Sequence, residues 1–392
     1  MPRADPLALP PVPLPAPATH SWRDWLLAAG FCAALALGGI GALRERAAPQ
    51  FEFRALAPWP APKFLRTFPG EFERAFGDRF GGRGALLLHH RAMVGVFGVS
   101  PAPNVMIGHD GWLYFLGKEG QVLDRHYRGT LPIGDAEIAA VATELIRRQR
   151  FLASRGIPYV VTIVPDKFTI YPEHLPEWVG APKAPTPMER LIAALQADGS
   201  VRVVDLRAPL RDAKARGRVY HATDSHWNLP GAAVGYDAIM REVQRALPPG
   251  GLAAIAPAVM PPYVPGVDVY AGDLARQVGF PPRYREPDYA PFAKLLADPG
   301  ARCARRIDDG SDAGIEVYAC AKPGLPRAVV YRDSMAIPLI PLLSENFSRA
   351  VYVGSRRLEP ALILREAPDV VIEEMVERSL QAPAALPMPE AK

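Results

Sequence analysis

Two short segments of the chain combine side chains that could carry out nucleophilic chemistry. Asp224 and His226 lie two residues apart in "ATDSHWNLPG" (222–231), so in an extended segment their side chains leave the same face. A carboxylate beside a histidine fixes the imidazole tautomer and stabilises the cation that forms when the ring takes a proton. Ser334, in "YRDSM", offers a hydroxyl that this histidine could deprotonate. The residue types therefore predict a Ser-His-Asp triad in the chain order Asp, His, Ser.

Both segments also have a simpler interpretation as helix starts. Asp224 or Thr223 could cap the helix that follows, and His226 could then be a structural histidine. Asp333 or Ser334 could cap a helix in the same way. These alternatives stay open, because a helix cap and a catalytic group use the same residue types.

A metal or cofactor site has less support. A metal site built from Asp224, His226 and His221 is a further alternative to the triad. The three cysteines of the chain form no CxxC motif and no Cys/His cluster of the kind that binds zinc. We therefore predict a site without a metal and without a cofactor.

Other polar side chains follow predicted strands and could reach the same site. Arg332 lies in the second segment, two residues before Ser334, and Arg356 and Arg357 stand in "SRR" after another strand. These three arginines could contact an anionic sugar or a developing oxyanion, although solvated surface positions are the alternative. Asp166 or Lys167, in "PDKFTIYPEHLP", could also approach the site.

Alternating strands and helices would position these residues. The predicted strands are 158–165, 201–206, 327–333, 350–354 and 369–376, and the predicted helices are 135–154, 187–198 and 230–247. This alternation predicts an α/β fold with a doubly wound, mainly parallel sheet. In such sheets reactive side chains collect beyond the carboxyl ends of the strands. Upstream, "VMIGHDGWLYF" predicts a hairpin with a type I′ turn at Asp110-Gly111.

The N-terminal part of the chain predicts a membrane anchor. Residues 1–24 form a Pro/Ala-rich leader that we expect to be disordered, and residues 44–63 are typical of a proline-broken linker. Between them, 25–43 is a run of 19 residues without a charge, close to the ~20 that span a bilayer as a helix. A secretory signal peptide has a shorter apolar part and a cleavage site. Because arginines lie on both sides of the run, charge alone leaves its orientation open.

The rest of the chain predicts one large globular domain. It covers residues 64–380, with a long Pro- and Gly-rich insertion at 248–326 and a disordered tail at 381–392. The net charge of +4 is spread along the chain, which argues against nucleic acid as a partner. Cys303 and Cys320 could form a disulfide if they face an oxidising compartment.

Seven strings, in the same order, resemble the AlgJ/AlgX-like alginate O-acetyltransferase family. Its SGNH-hydrolase-like members are also called DHHW proteins. The strings cover most of residues 64–380 and are "FERAFGDRFGGR", "IGHDGWLYFLG", "VPDKFTIYPEHLP", "TDSHWNLPGA", "GDLARQVG", "YRDSM" and "REAPDVVIEEMVER".

The resemblance implies an SGNH-hydrolase-like fold in which Asp224, His226 and Ser334 are the catalytic triad. Their order resembles a circular permutation of ordinary SGNH enzymes, where the serine comes first. Ser225 departs from the family pattern, which often has His or Thr between the acid and the histidine. We expect no additional carbohydrate-binding module after residue 380, so the layout resembles the AlgJ branch. That branch implies a cytoplasmic leader, an inner-membrane anchor and a periplasmic domain, in which a Cys303–Cys320 bridge is reasonable.

The same resemblance implies a polysaccharide O-acetyltransferase that works through a seryl acyl-enzyme. Its acceptor would be an exopolysaccharide such as alginate, and an MBOAT-type membrane acyltransferase would supply the acetyl group from the cytoplasm. Other polysaccharide-secretion proteins would be further partners. The sequence leaves two alternatives open: a carbohydrate acetylesterase with the same triad, and a non-catalytic glycan-binding assembly subunit.

Overall fold

The computed structural model describes ten parts of the chain: residues 21–44, 57–60, 68–77, 79, 82–182, 185–258, 269–279, 284–287, 302–307 and 314–380. Most of the predicted leader and linker and the whole predicted tail lie outside these residues. The chain divides into two compact units, residues 1–89 and residues 90–392.

The described part of the first unit is helical. Helix α1 spans Trp22–Arg44 and contains the predicted anchor, and helix α2 spans Phe68–Gly77. Helix α3, Gly82–Gly95, begins in this unit and ends in the next. Among the residues that the structure describes, no helix has the length and apolar character needed to cross a membrane.

The second unit contains the described strands and most of the described helices. The described strands are β1 Val105–Ile107, β2 Leu113–Phe115, β3 Tyr159–Val164, β4 Arg202–Asp205, β5 Val269–Tyr270, β6 Glu286–Pro287, β7 Arg305–Ile307, β8 Ile315–Ala319, β9 Arg327–Tyr331, β10 Arg349–Val353 and β11 Val370–Val376. The further helices are α4 Gln121–Leu123, α5 Asp135–Ala153, α6 Lys167–Ile170, α7 Pro187–Asp198, α8 Arg207–Lys214, α9 Leu229–Ala246, α10 Asp273–Gln277, α11 Ile340–Ser344 and α12 Pro360–Glu366.

Seven of the described strands form one sheet, in the order β4-β3-β11-β9-β10-β8-β7. The five strands from β4 to β10 run parallel, and β8 and β7 continue the sheet antiparallel at one edge. Helices α5, α7 and α12 pack on one face of this sheet, and α8, α9 and α11 pack on the other. The predicted doubly wound, mainly parallel α/β fold is therefore confirmed.

Strand β3 illustrates why the sheet was recognisable from sequence. All six of its side chains are buried. Alternate residues enter opposite cores, with Tyr159, Val161 and Ile163 on one side and Val160 and Val164 on the other. A strand covered by helices on both faces needs a continuous apolar run, and this run bounded by prolines was the visible signal.

Two regions differ from the sequence-based expectation. Residues 248–326, predicted as an insertion, also supply the two antiparallel edge strands β7 and β8 and the small β5–β6 ribbon. These strands are two to five residues long, too short to give a clear periodicity. The predicted β1–β2 hairpin forms, but five residues separate its last paired positions, so the two-residue type I′ turn is wrong. Asp110 and Gly111 nevertheless both have positive φ, at 54° and 79°.

Helix α9 carries a glycine where an aromatic ring crosses it. A Cβ added at Gly235 would lie 2.6 Å from the Cη2 atom of Trp227, whose ring is fully buried. Real Cβ contacts are longer, so the ring approaches the helix only because the side chain is absent. Glycine inside a helix costs about 1 kcal/mol relative to alanine, so close packing must compensate for its presence.

We expect the substitution Gly235→Ala to lower the free energy of unfolding by about 1–3 kcal/mol, because the added methyl displaces a rigid indole. Chemical denaturation of the full chain measures the change. Gly70→Ala is the matched control, since a Cβ there meets nothing within 4 Å in helix α2. The control should change stability by less than about 0.5 kcal/mol. A Gly235→Ala protein as stable as the original would contradict the packing argument.

Candidate active site

Asp224, His226 and Ser334 form a continuous hydrogen-bonded chain. The Nδ1 atom of His226 lies 2.6 Å from Oδ1 of Asp224, and its Nε2 atom lies 2.9 Å from Oγ of Ser334. Asp224 is buried and Ser334 is exposed. When Nδ1 carries the proton and donates it to the carboxylate, the Nε2 lone pair faces the serine hydroxyl. The structure thus brings together the three residues that the sequence singled out.

Ser334 follows β9 at the start of a 3-10 helix, Ser334–Leu339. Asp333 caps this helix, since its Oδ1 accepts a hydrogen bond from Met335 N at 2.8 Å. Its Oδ2 accepts another from Val376 N at 2.8 Å, which ties the turn to the end of β11. Among the described residues, none accepts a hydrogen bond from the backbone N–H of Ser334. The capping interpretation therefore holds for Asp333, and it leaves the Ser334 hydroxyl facing His226.

Asn228, and not Asp224 or Thr223, caps helix α9. The side chain of Asn228 accepts a hydrogen bond from Gly231 N at 3.0 Å, so the capping interpretation of the first segment is wrong. The sequence "TDSHWN" contains several good cap residues, and the position of the helix start selects among them. Asp224 is released from that role and can hold His226.

Asp224 accepts four hydrogen bonds. Its Oδ1 receives His226 Nδ1 and the backbone N–H of His226 at 3.0 Å, and its Oδ2 receives the Tyr270 hydroxyl at 2.6 Å and Asp273 N at 2.8 Å. Burial alone would raise the pKa of Asp224, but the hydrogen bonds and the charge of His226 hold it far below its ordinary value. Burial lowers the pKa of His226, yet the bond to Asp224 outweighs this and the net shift is upward. The carboxylate is therefore ionised at neutral pH and supports the protonated ring.

Lys167 holds the backbone of the segment that contains Asp224. Its Nζ atom donates to the carbonyl oxygens of His221, Ala222 and Asp224 at 3.0, 3.1 and 2.7 Å. The lysine is buried, and burial lowers its pKa to about 8. The expectation that Lys167 approaches the site is met through the backbone, because its ammonium group faces carbonyl oxygens.

Glu286, on β6, satisfies the N–H groups of the same segment. Its carboxylate accepts hydrogen bonds from Ala222 N at 2.9 Å, from Thr223 N at 2.8 Å and from Thr223 Oγ1 at 2.7 Å. Glu286, Tyr270 and Asp273 were not identified from the sequence. All three lie within the predicted insertion, where "GDLARQVG" was the one string that pointed to the family.

Trp227 connects the two segments of the site. Its Nε1 donates to the carbonyl oxygen of Met335 at 2.8 Å, across 108 residues of sequence. Trp227 follows His226 in the sequence, and Met335 follows Ser334. The indole thereby fixes the distance between the histidine and the serine.

The three predicted contact arginines have other partners. Arg332 Nη2 lies 2.7 Å from Oε1 of Glu316, and Arg356 donates to the carbonyl oxygen of Ser379. Arg357 is exposed, and its backbone N–H bonds to a neighbouring serine. The structure records no contact of these guanidinium groups with the triad. The sequence places these arginines at the ends of strands, but it does not determine in which direction their long side chains extend.

The metal alternative involves a different set of residues. Within the described chain, the one group of His, Cys, Asp and Glu side chains close enough to share an ion is Asp224, His226 and Asp273, with ligand atoms within 4.8 Å. His221 is not part of it, and its ring packs on Tyr270 at 4.3 Å between centroids. His226 Nδ1 and Asp224 Oδ1 are already joined by a hydrogen bond and the Asp273 carboxylate accepts two from Ser225, which fits an acid–base site better than a metal site. The Cys303–Cys320 pair forms a disulfide.

Comparison with known proteins finds one matching family model and several similar proteins. Residues 105–306 match the family described as "SGNH hydrolase-like domain, acetyltransferase AlgX". The "Probable alginate O-acetylase AlgJ" of Pseudomonas putida is 28% identical over 299 residues, which are 71% of this chain and 70% of that protein.

Two solved structures also match part of this chain. Bacillus cereus PatB1 is 15% identical, with a TM-score of 0.49, over 71% of this chain and 97% of that chain. The O-acetyltransferase domain of Pseudomonas putida AlgJ is 21% identical, with a TM-score of 0.40, over 71% of this chain and 93% of that chain.

We expect Lys167→Met to lower the free energy of unfolding by about 3 kcal/mol, because three buried carbonyl oxygens lose a charged donor. We also expect Ser334 to react about tenfold more slowly with a fluorophosphonate, since the segment that orients His226 loosens. Denaturant unfolding and mass spectrometry of the labelled serine measure the two effects.

Lys214→Met is the matched control. The Nζ atom of Lys214 donates to the Ile170 carbonyl oxygen at 2.8 Å and pairs with Glu173, at a partly exposed position. Its loss should cost less than about 1 kcal/mol and leave the labelling rate unchanged. Equal effects of the two substitutions would contradict a specific role of Lys167.

Proposed function

Because the chain belongs to the SGNH hydrolase-like acetyltransferase family of AlgX, we propose that it transfers acetyl groups through a seryl acyl-enzyme to hydroxyls of an exopolysaccharide such as alginate. Family membership makes the chain a polysaccharide O-acetyltransferase. The observation that carries the proposed mechanism is the 2.9 Å contact between His226 Nε2 and Ser334 Oγ. It supports Ser334 as nucleophile, His226 as general base and Asp224 as the group that orients the base.

In the first half-reaction, Nε2 of His226 takes the proton of the Ser334 hydroxyl while Oγ attacks the carbonyl carbon of an acetyl donor. The new C–O bond creates a negative oxygen, and the N–H of Ser334, which has no acceptor among the described residues, is a suitable donor for it. As the intermediate collapses, the bond to the leaving group breaks and His226 returns the proton to that group. Ser334 then carries the acetyl group as an ester.

In the second half-reaction, a hydroxyl of the polysaccharide takes the place of the leaving group. His226 removes the hydroxyl proton, and the alkoxide oxygen attacks the acetyl carbon. The bond to Ser334 Oγ breaks, and His226 gives the proton back to the serine. The exposed position of Ser334 supports an acceptor as large as a polymer.

Hydrolysis is the second candidate activity, because the exposure of Ser334 also admits water. The same triad would then act as a carbohydrate acetylesterase. Incubation of an acetyl ester with and without acceptor polymer separates the two. Transfer predicts acetylated polymer and a slower release of acetate when polymer is present, whereas an esterase releases acetate in both cases.

We further propose that 25–43 anchors the chain in the bacterial inner membrane, with the catalytic domain in the periplasm. The charge-free run supports the anchor, and the Cys303–Cys320 disulfide supports an oxidising compartment. An MBOAT-type membrane acyltransferase would supply the acetyl group, since the donor pool is cytoplasmic. Other polysaccharide-secretion proteins would receive the modified polymer.

Ser334→Ala is expected to abolish transfer and to leave the unfolding free energy within about 0.5 kcal/mol, because the hydroxyl is exposed. Intact-mass spectrometry after incubation with an acetyl ester should find one added acetyl group in the original protein and none in the variant. Ser355→Ala, at another exposed serine, is the control and should label fully.

Three results would count against the mechanism. Acetylation of polymer by Ser334→Ala at the original rate excludes the seryl intermediate. Labelling at a different residue excludes Ser334 as the nucleophile. A chain that binds polymer and never carries an acetyl group is the non-catalytic assembly subunit.

A further inference from the structure

A second carboxylate lies beside the histidine of the triad. Asp273 begins α10, and the segment before it is packed directly on the Asp224 backbone. A Cβ added at Gly272 would lie 2.3 Å from the carbonyl oxygen of Thr223 and 2.4 Å from Cβ of Asp224. The backbone N–H of Asp273 donates to Asp224, and Ala275 N donates to Thr223 O at 3.0 Å. Asp273 is therefore fixed against the acid–histidine segment by its backbone.

The side chain of Asp273 is directed at Ser225, the residue between the acid and the histidine. Its Oδ1 accepts a hydrogen bond from Ser225 N at 2.7 Å, and its Oδ2 accepts one from Ser225 Oγ at 2.7 Å. The same Oδ2 lies 4.0 Å from Nδ1 of His226. The serine thus stands between the second carboxylate and the imidazole.

The proton of the Ser225 hydroxyl determines what this arrangement does. The hydroxyl has one proton, and it is donated to Asp273. The oxygen then presents a lone pair to Nδ1 of His226, 3.2 Å away. The Nδ1 proton is consequently shared between a near acceptor, Asp224, and a more distant one, Ser225.

We propose that Asp273, acting through the Ser225 hydroxyl, is a second positioning carboxylate for His226 that fixes its ring and increases its basicity. This inference rests on the proposed role of His226 as general base. The chain from Asp273 to Ser225 to His226 reaches Nδ1 and leaves Nε2 free for the reacting oxygens. Asp273 therefore acts on the base without contacting the substrate.

The charges around these groups define the direction of the effect. The charged groups that face His226 are Asp224 and Asp273, which favour the protonated ring, and Arg378, which opposes it. The groups that act on Asp273 include Asp224, His226, Tyr270, Lys167 and Arg378. Burial and the charge of Asp224 raise the pKa of Asp273, while the hydrogen bonds from Ser225 oppose this rise. Removal of the Asp273 charge must lower the pKa of His226.

The test measures the pH profile of acetyl-ester hydrolysis by the full chain carrying Asp273→Asn. Because His226 must be neutral to act as base, a lower pKa moves the acid limb of kcat/KM to lower pH. The plateau should fall by about tenfold, since the protonated ring is less stabilised when the proton moves. The loss of kcat/KM is therefore largest at the pH values of the plateau and smaller at the pH values of the acid limb.

Two substitutions at the bridging serine separate positioning from folding. Ser225→Ala removes the hydroxyl and should move the acid limb in the same direction by a smaller amount. Ser225→Thr keeps the hydroxyl and should restore the original profile. Asp237→Asn removes a surface carboxylate paired with Arg241 and should leave the profile unchanged.

An independent readout is the pKa of His226 followed by NMR in ring-labelled protein, assigned with His226→Gln. The inference is overturned if Asp273→Asn leaves both the NMR titration and the acid limb in place, or lowers activity equally at every pH. It is also overturned if Ser225→Ala matches the original protein. Activity retained in Ser334→Ala would reject the proposed function instead, and the NMR titration would still report on Asp273.

Discussion

The backbone of residues 221–224 is buried in the protein, and the site depends on how its polar groups are satisfied. Buried N–H and C=O groups need partners, and strand β2 supplies one, from Leu113 N to the carbonyl oxygen of Ala222 at 2.8 Å. Lys167 supplies three hydrogen bonds to the carbonyl oxygens, and Glu286 accepts from the N–H groups. The ammonium group of Lys167 and the carboxylate of Glu286 together hold the segment in one conformation, and Asp224 faces His226 as a result.

The site also requires a fixed distance between the segment that carries His226 and the segment that carries Ser334, which are far apart in sequence. The indole of Trp227 provides it, because its Nε1 donates to the carbonyl oxygen of Met335 and its Cη2 and Cζ3 atoms pack against Gly235. Helix α9, the indole of Trp227 and the turn at Ser334 are therefore packed together as one unit. Pre-organisation of this kind lets His226 and Ser334 meet without reorganisation during the reaction.

The sequence was sufficient for the five parallel strands and for the candidate triad, and insufficient for the two edge strands and for the residues that support Asp224 and His226. Asp224 and His226 were visible because their types and spacing are rare together, and the apolar strands gave Ser334 its place. Tyr270 and Asp273 were not visible, because they lie in very short elements whose positions depend on contacts distant in sequence. The direction of Arg332 was equally inaccessible, since a flexible side chain follows the nearest carboxylate.

The attachment of the serine turn to β11 has a consequence for the order in which the protein is made. Strand β11 is the last strand in the described chain, yet it lies between β3 and β9 in the sheet. Asp333 receives the N–H of Val376 at the end of that strand. A nascent chain in which residue 376 has not yet been synthesised lacks both the central strand and the support of Ser334, the proposed nucleophile. Acyl transfer can therefore begin only after nearly all of the domain has been synthesised and folded.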